Sequence, residues 1–234
     1  MSITSILMAG QSNMAGRGDF GEVPPIENPH CRMLRNGRWQ PMTEPINPDR
    51  AVLTGKFHSG VGLAASFADT AARNTGKDIG LIPCADGGTQ ISEWMPGEVL
   101  FDNAVFCANL ARRTSDFGGI IWHQGESDCF TEKAVVYGEK LYTVLTELRR
   151  LTGGEGLPLI LGEIPHVISE DWKRTVDPSV INAIIHEVAA ALPLCAVVSS
   201  EGIPMRYDGI HFSSAGARVF GSRYAEAYED LLKR

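Results

Sequence analysis

The chain has 234 residues, 44% hydrophobic and 21% charged, which excludes a disordered or fibrous protein and suits one large α/β domain, expected to span residues 1–234. Its formal net charge of −7, with Lys and Arg scattered along the chain, argues against a nucleic-acid partner, because neutralising phosphates needs a concentrated basic face. No apolar run approaches the roughly 20 residues of a membrane-spanning helix, so no membrane partner is expected.

In chain order, Ile3 to Met8 is a short β-branched and apolar run that reads as a buried strand, ended by Gly10 and followed at once by Ser12. From Phe20 to Phe57 six prolines and little periodicity predict an irregular loop with a small hairpin around Asn36-Gly37. Its members Arg32, Arg35, Arg38, Trp39 and Arg50 either line a cleft or cover a sheet edge, and edge coverage is the preferred reading for each. Apolar residues at helical spacing predict a helix over 59–74, with Gly76 as its terminator. Asp78 to Cys84 is a second strand that empties into Gly87-Gly88-Thr89. Two glycines directly after a strand let backbone N–H groups approach an oxyanion.

A helix is predicted over 102–114 and a third strand from Phe117, which runs into His123-Gln124-Gly125-Glu126-Ser127-Asp128. A buried strand that ends in so many polar groups must hold them in a network, and such networks cluster at sites. Next come the longest helix, 131–151, a strand over 158–164, a helix over 178–192 that opens on Asp177-Pro178, a strand over 195–200 and a last helix over 213–232. Strands alternating with helices imply a parallel sheet covered on both faces.

Ser12 is the candidate nucleophile, for a strand fixes its backbone and presents its side chain at the carboxyl edge of the sheet, where open α/β sheets bind ligands. A serine hydroxyl needs a base and an orienting acid to react. Tyr207-Asp208-Gly209-Ile210-His211 supplies a carboxylate three residues before a histidine.

Gly10-Gln11-Ser12-Asn13-Met14-Ala15-Gly16, Gly87-Gly88-Thr89, Trp122-His123-Gln124-Gly125-Glu126-Ser127-Asp128 and Asp208-Gly209-Ile210-His211 resemble the four ordered blocks of the SGNH-type hydrolases. They look most like the branch that holds carbohydrate esterase family 6 acetylxylan esterases and sialate O-acetylesterases. The resemblance implies a flavodoxin-like three-layer α/β/α fold with a five-stranded parallel sheet and removal of O-acetyl groups from sugars, without a cofactor. By that resemblance Ser12 is the nucleophile, His211 the base and Asp208 its acid, with Glu126 as the alternative acid. The short spacing to His211 makes Asp208 the first choice. Ser12, Gly88 and Gln124 resemble the oxyanion donors, and Gln11, Arg17, Thr89 and His123 are expected to contact the acetylated carbohydrate.

An α/β-hydrolase is disfavoured, because Ser12 lacks the second glycine of G-x-S-x-G. A metal-dependent hydrolase is the first alternative, since His123, Glu126, Asp128 and His211 are ligand types, yet no H-E-x-x-H spacing occurs and no metal is expected. A non-catalytic carbohydrate-binding protein presenting Trp39, Trp94 and Trp172 is the second. The five cysteines, Cys31, Cys84, Cys107, Cys129 and Cys195, are widely spaced and without a C-x-x-C pair, so neither a disulfide framework nor a zinc cluster is expected. The first residues lack the basic region of a signal peptide, and the chain is expected to be cytoplasmic.

Overall fold

The structure, a computed structural model, describes residues 2–48 and 59–234. Five parallel strands follow the sequence reading: β1 (Ile3–Gly10), β4 (Asp78–Pro83), β5 (Asp116–His123), β6 (Leu159–Gly162) and β7 (Cys195–Val198). Two more, β2 (Cys31–Arg35) and β3 (Arg38–Pro41), form the small hairpin expected around Asn36-Gly37 within an otherwise irregular stretch. The sheet therefore has seven strands instead of five, in the order β3-β2-β4-β1-β5-β6-β7, with β3 alone antiparallel to its neighbour.

The hairpin between β2 and β3 forms because Asn36 and Gly37 both take positive φ, 51° and 72°, the pairing a two-residue turn demands. It covers the sheet edge. Arg35 donates to the carbonyls of Pro45 and Ile46, and Trp39 donates its indole N–H to Thr114 at 3.2 Å. Neither these two nor Arg32 and Arg38 line the cleft described below; Arg50 lies outside the described residues.

Period-two alternation in β1 serves two cores. Ile6 and Met8 face α2 (Leu63–Thr75) and α6 (Ser214–Leu232), whereas Leu7 and Ala9 face α3 (Val99–Ala111), α4 (Thr131–Thr152) and α5 (Pro178–Ala191). All four side chains are fully buried, and a Leu, Ile or Met enclosed in this way contributes roughly 1.5–3 kcal/mol. Asp177 caps α5 by accepting from Ser179 N–H, with Pro178 at the first helical position. The result is a three-layer α/β/α sandwich. Its strand sequence reverses at β1: β4 lies on one side and β5 on the other, so a crevice opens at the carboxyl ends of β1 and β5.

Candidate active site

Gly10 is the last residue of β1, paired with His123 of β5. At φ +128° its backbone runs so close to β5 that a Cβ would sit 2.0 Å from the His123 carbonyl oxygen, and no other residue fits. Gln11 N–H then donates to that same carbonyl at 2.8 Å, and the chain turns into the single helical turn α1 (Ser12–Ala15). Ser12 stands at the first helical position, where the backbone N–H has no intrahelical acceptor.

The last loop meets it. Asp208 accepts the N–H groups of Ile210 and His211 on Oδ1, at 3.1 and 3.0 Å, which folds 208–211 into a tight turn. Its Oδ2 lies 2.9 Å from His211 Nδ1, and His211 Nε2 lies 2.9 Å from Ser12 Oγ. An ionised Asp208 fixes the proton on Nδ1 and leaves Nε2 as acceptor for the Ser12 hydroxyl. Burial lowers His211 below the usual histidine value, Asp208 opposes that, and the charge of Arg17 adds to it. Burial raises the Asp208 carboxyl, but bonds to His211 and the turn N–H groups outweigh it and leave the group below its ordinary value.

Glu126, the alternative acid, does not reach His211. Its Oε1 accepts from Asn13 Nδ2 at 2.5 Å and faces His123 Nε2 at 3.1 Å, with the carboxylate fully buried. Burial raises its pKa, yet His123 and Asn13 bring it below the ordinary value. Asn13 is the residue that the sequence reading missed. Its Nδ2 also donates to Ile210 O at 3.0 Å and its Oδ1 accepts from Phe212 N–H at 3.0 Å, so one amide grips both neighbours of His211. His123 is sealed between Glu126 and the Tyr224 hydroxyl, 3.2 Å from Nδ1. It touches no substrate space, contrary to expectation.

A cleft of about 420 Å³ opens over this triad, lined by Gln11, Ser12, Arg17, Gly87, Gly88, Ser127, Trp172, Arg174, Ile210 and His211. Of the residues expected at the site, Gln11, Arg17 and Gly88 are among this lining. Thr89 is not: it is fully buried, donating to Asp86 O at 2.8 Å and accepting from Trp94 at 3.0 Å. Gln124 is also enclosed beneath the cleft, its amide donating to Asp128 and to Thr89 O at 2.5 and 3.1 Å.

Two wall residues come from the β6–α5 connection. Trp172 donates to Asp208 O at 2.9 Å and meets the His211 ring edge-on, and Arg174 lies over the Phe130 ring at 4.9 Å. Sequence spacing holds no signal for either, because their partners are set by folding across distant segments. Among the described residues no group of three His, Cys, Asp or Glu side chains is arranged to hold a metal ion.

Residues 3–230 match the family described as carbohydrate esterase, sialic acid-specific acetylesterase. A probable carbohydrate esterase of Arabidopsis thaliana is 30% identical over 244 residues, covering 95% of this chain and 88% of that one. A crystal structure of an Arabidopsis thaliana protein superposes with a TM-score of 0.84 at 25% identity, over 98% of this chain and 99% of the other. Est24, a carbohydrate acetylesterase from Sinorhizobium meliloti, shares the fold with a TM-score of 0.59 at 13% identity, over 97% and 99% of the two chains. The chain belongs to the carbohydrate esterase family of sialic acid-specific acetylesterases, and is a carboxylic ester hydrolase.

Proposed function

We propose that this acetylesterase works through a serine nucleophile, removing O-acetyl groups from an acidic sugar of the sialic acid type by way of an acetyl-enzyme. The observation that carries the mechanism is the unbroken chain Ser12–His211–Asp208, of which Ser12 and His211 line the cleft, with both contacts at 2.9 Å. His211 Nε2 takes the Ser12 proton as Oγ bonds to the acetyl carbon, and the carbonyl π pair moves onto oxygen. The N–H groups of Ser12 and Gly88 receive that oxyanion. Collapse expels the sugar oxygen, which leaves with the proton from His211. A water then repeats the attack on the acetyl-enzyme, with His211 again as base.

The choice of sugar rests on Arg17 and Arg174. Two guanidinium groups among the described residues of the cleft favour a substrate that carries its own carboxylate over a neutral acetylated xylan.

Ser12→Ala is expected to abolish hydrolysis of an aryl acetate and of an O-acetylated sialic acid without lowering the melting temperature, since among the described residues no other activated nucleophile lines the cleft. Initial rates and a thermal melt test it. A variant that keeps more than about a hundredth of the rate, when triad removal typically costs far more, ends the serine reading.

A further inference from the structure

The turn that carries Asp208 and His211 is gripped from outside by a second loop, the connection from β6 to α5. Resting on the serine mechanism above, we infer that Trp172 of this connection is a positioning residue for the pair: its indole N–H fixes the main chain of Asp208 and with it the direction in which the carboxylate points.

The inference follows from where the carbonyls of residues 208–211 go, since each needs a donor. His211 O accepts Arg206 N–H at 2.7 Å, which closes the turn on itself, and Ile210 O accepts the Asn13 amide at 3.0 Å. The other two face the β6–α5 connection. Gly209 O accepts Ser169 N–H and Asp208 O accepts Trp172 Nε1–H, both at 2.9 Å. The two loops run so close that a Cβ on Gly209, whose φ is +67°, would sit 2.6 Å from Ser169 Cβ. Ser169 in turn opens the single 3-10 turn Glu170–Trp172, which Lys173 ends at φ +51° by reversing the chain.

A bond to Asp208 O acts on catalysis through geometry. It holds the rigid peptide plane between Asp208 and Gly209, and so the rotation that carries Oδ1 to the N–H groups of Ile210 and His211 and Oδ2 to His211 Nδ1. The pair is not sealed: the side chains of His211 and Asp208 keep 14% and 22% of their surface exposed, so water competes for their contact and burial alone does not hold it. The indole stands edge-on beside the imidazole, with ring centroids 6.1 Å apart. While His211 takes the Ser12 proton and passes it to the sugar oxygen, Trp172 neither gains nor loses one.

The same indole is 39% exposed and lines the cleft, so its ring meets substrate while its N–H meets the acid. Two variants separate these parts. Trp172→Phe keeps a flat apolar ring in the wall and removes the donor. Trp172→His is smaller, yet in a flipped ring its Nε2–H stands where the indole N–H stood.

On an aryl acetate at about pH 8, where the added imidazole is neutral, Trp172→Phe is expected to lower kcat about three- to tenfold with KM little changed, the worth of one hydrogen bond, and Trp172→His to stay within about twofold of the parent kcat. A residue that only fills the wall gives the reverse order, because phenylalanine is the better filler. The downfield proton NMR signal of His211 Nδ1–H, bonded to Asp208, should exchange faster with water in Trp172→Phe and persist in Trp172→His, a readout that a wall residue would not move.

The inference is overturned if Trp172→Phe keeps kcat, if it changes KM alone, or if Trp172→His loses as much kcat as Trp172→Phe. If Trp172→Phe does not fold, benzothienylalanine at position 172 takes its place, with sulfur where the indole has N–H and the same shape otherwise. A parental kcat in that protein refutes the assignment, and the loss expected above supports it. An inactive Ser12→Ala beside a fully active Trp172→Phe defeats only this inference, whereas an active Ser12→Ala defeats the mechanism beneath it.

Discussion

Two carboxylates lie near His211, and their partners assign them different work. Asp208 meets Nδ1 directly, while Glu126 acts on Asn13, which in turn holds Ile210 and Phe212 on either side of the histidine. Asp208→Asn is therefore expected to cost on the order of 10⁴ in kcat, the loss seen when the tautomer of a catalytic histidine is no longer fixed. Glu126→Gln, whose amide oxygen still accepts from Asn13, should cost about tenfold or less in kcat and should register mainly as a lower melting temperature. Equal losses in two variants that melt normally would return the orienting role to Glu126. The juxtaposition of Ser12, His211 and Asp208 was legible because each sits in a short local pattern: a serine after a strand, and D-x-x-H within one turn. Asn13 was not, although it is adjacent to Ser12, because its purpose lies 197 positions away at Ile210. Gln124 and His123 were misplaced for a related reason. A strand that ends in polar residues announces a network, but not which members surface in the cleft and which lie beneath it.

Among the elements, β1, β4, β5, β6 and β7 were legible as apolar runs punctuated by glycine and proline, whereas β2 and β3 were legible only as a small hairpin. β3 is mostly exposed and carries no alternation, so only its Asn36-Gly37 turn betrayed the hairpin, and the pairing of β2 with β4 is a long-range event without local sequence signal. A second long-range feature ties the other side of the sheet. Glu163, just after β6, faces His186 of α5 at 2.8 Å and His166 at 3.0 Å, and accepts from the Ser199 hydroxyl and Ser200 N–H beyond β7 at 2.7 and 3.0 Å. Burial raises its carboxyl, but these four partners overcome that and bring it down to about 2. Since the folded value lies below the ordinary glutamate value of about 4.3, Glu163 stabilises the fold above that pH, and the contribution is lost as pH falls toward about 2. Glu163→Gln is expected to lower stability at pH 7 by about 1–2 kcal/mol, the low end for charged hydrogen bonds because both imidazoles are half exposed. Urea unfolding at pH 7 and pH 3 should show the gap between parent and variant shrinking at the lower pH. A gap of constant size would mean that packing, and not ionisation, is what the side chain contributes.

At the scale of the whole molecule, the sheet carries a core on each face and gathers its reactive groups at one edge, above the reversal of strand order at β1. Net charge works against the proposed substrate there. A chain of −7 offers no long-range attraction to an anion, so discrimination in favour of an acidic sugar has to come from groups within the cleft, inside the roughly 8 Å over which charges act at physiological salt. In the proposed reading Arg17 and Arg174 are those groups, and they are not equivalent. Arg17 follows α1, donates to Gly16 O and lowers the pKa of His211, so its replacement disturbs the acid–base chemistry as well as binding. Arg174 stands on the opposite connection, over Phe130, with Trp172 between it and the histidine, and touches no member of the triad. Arg174→Ala therefore isolates recognition from catalysis. For an O-acetylated sialic acid, KM is expected to rise about ten- to a hundredfold, the equivalent of one charged hydrogen bond, with kcat nearly unchanged. For a neutral aryl acetate both constants should stay close to those of the parent. Restoring charge as Arg174→Lys should recover part of the affinity, because a lysine supplies attraction without the paired N–H groups that grip a carboxylate. If the acidic and neutral substrates lose equally in Arg174→Ala, the arginine serves as a wall and not as an anion receptor, and a neutral acetylated sugar becomes the better assignment for the cleft.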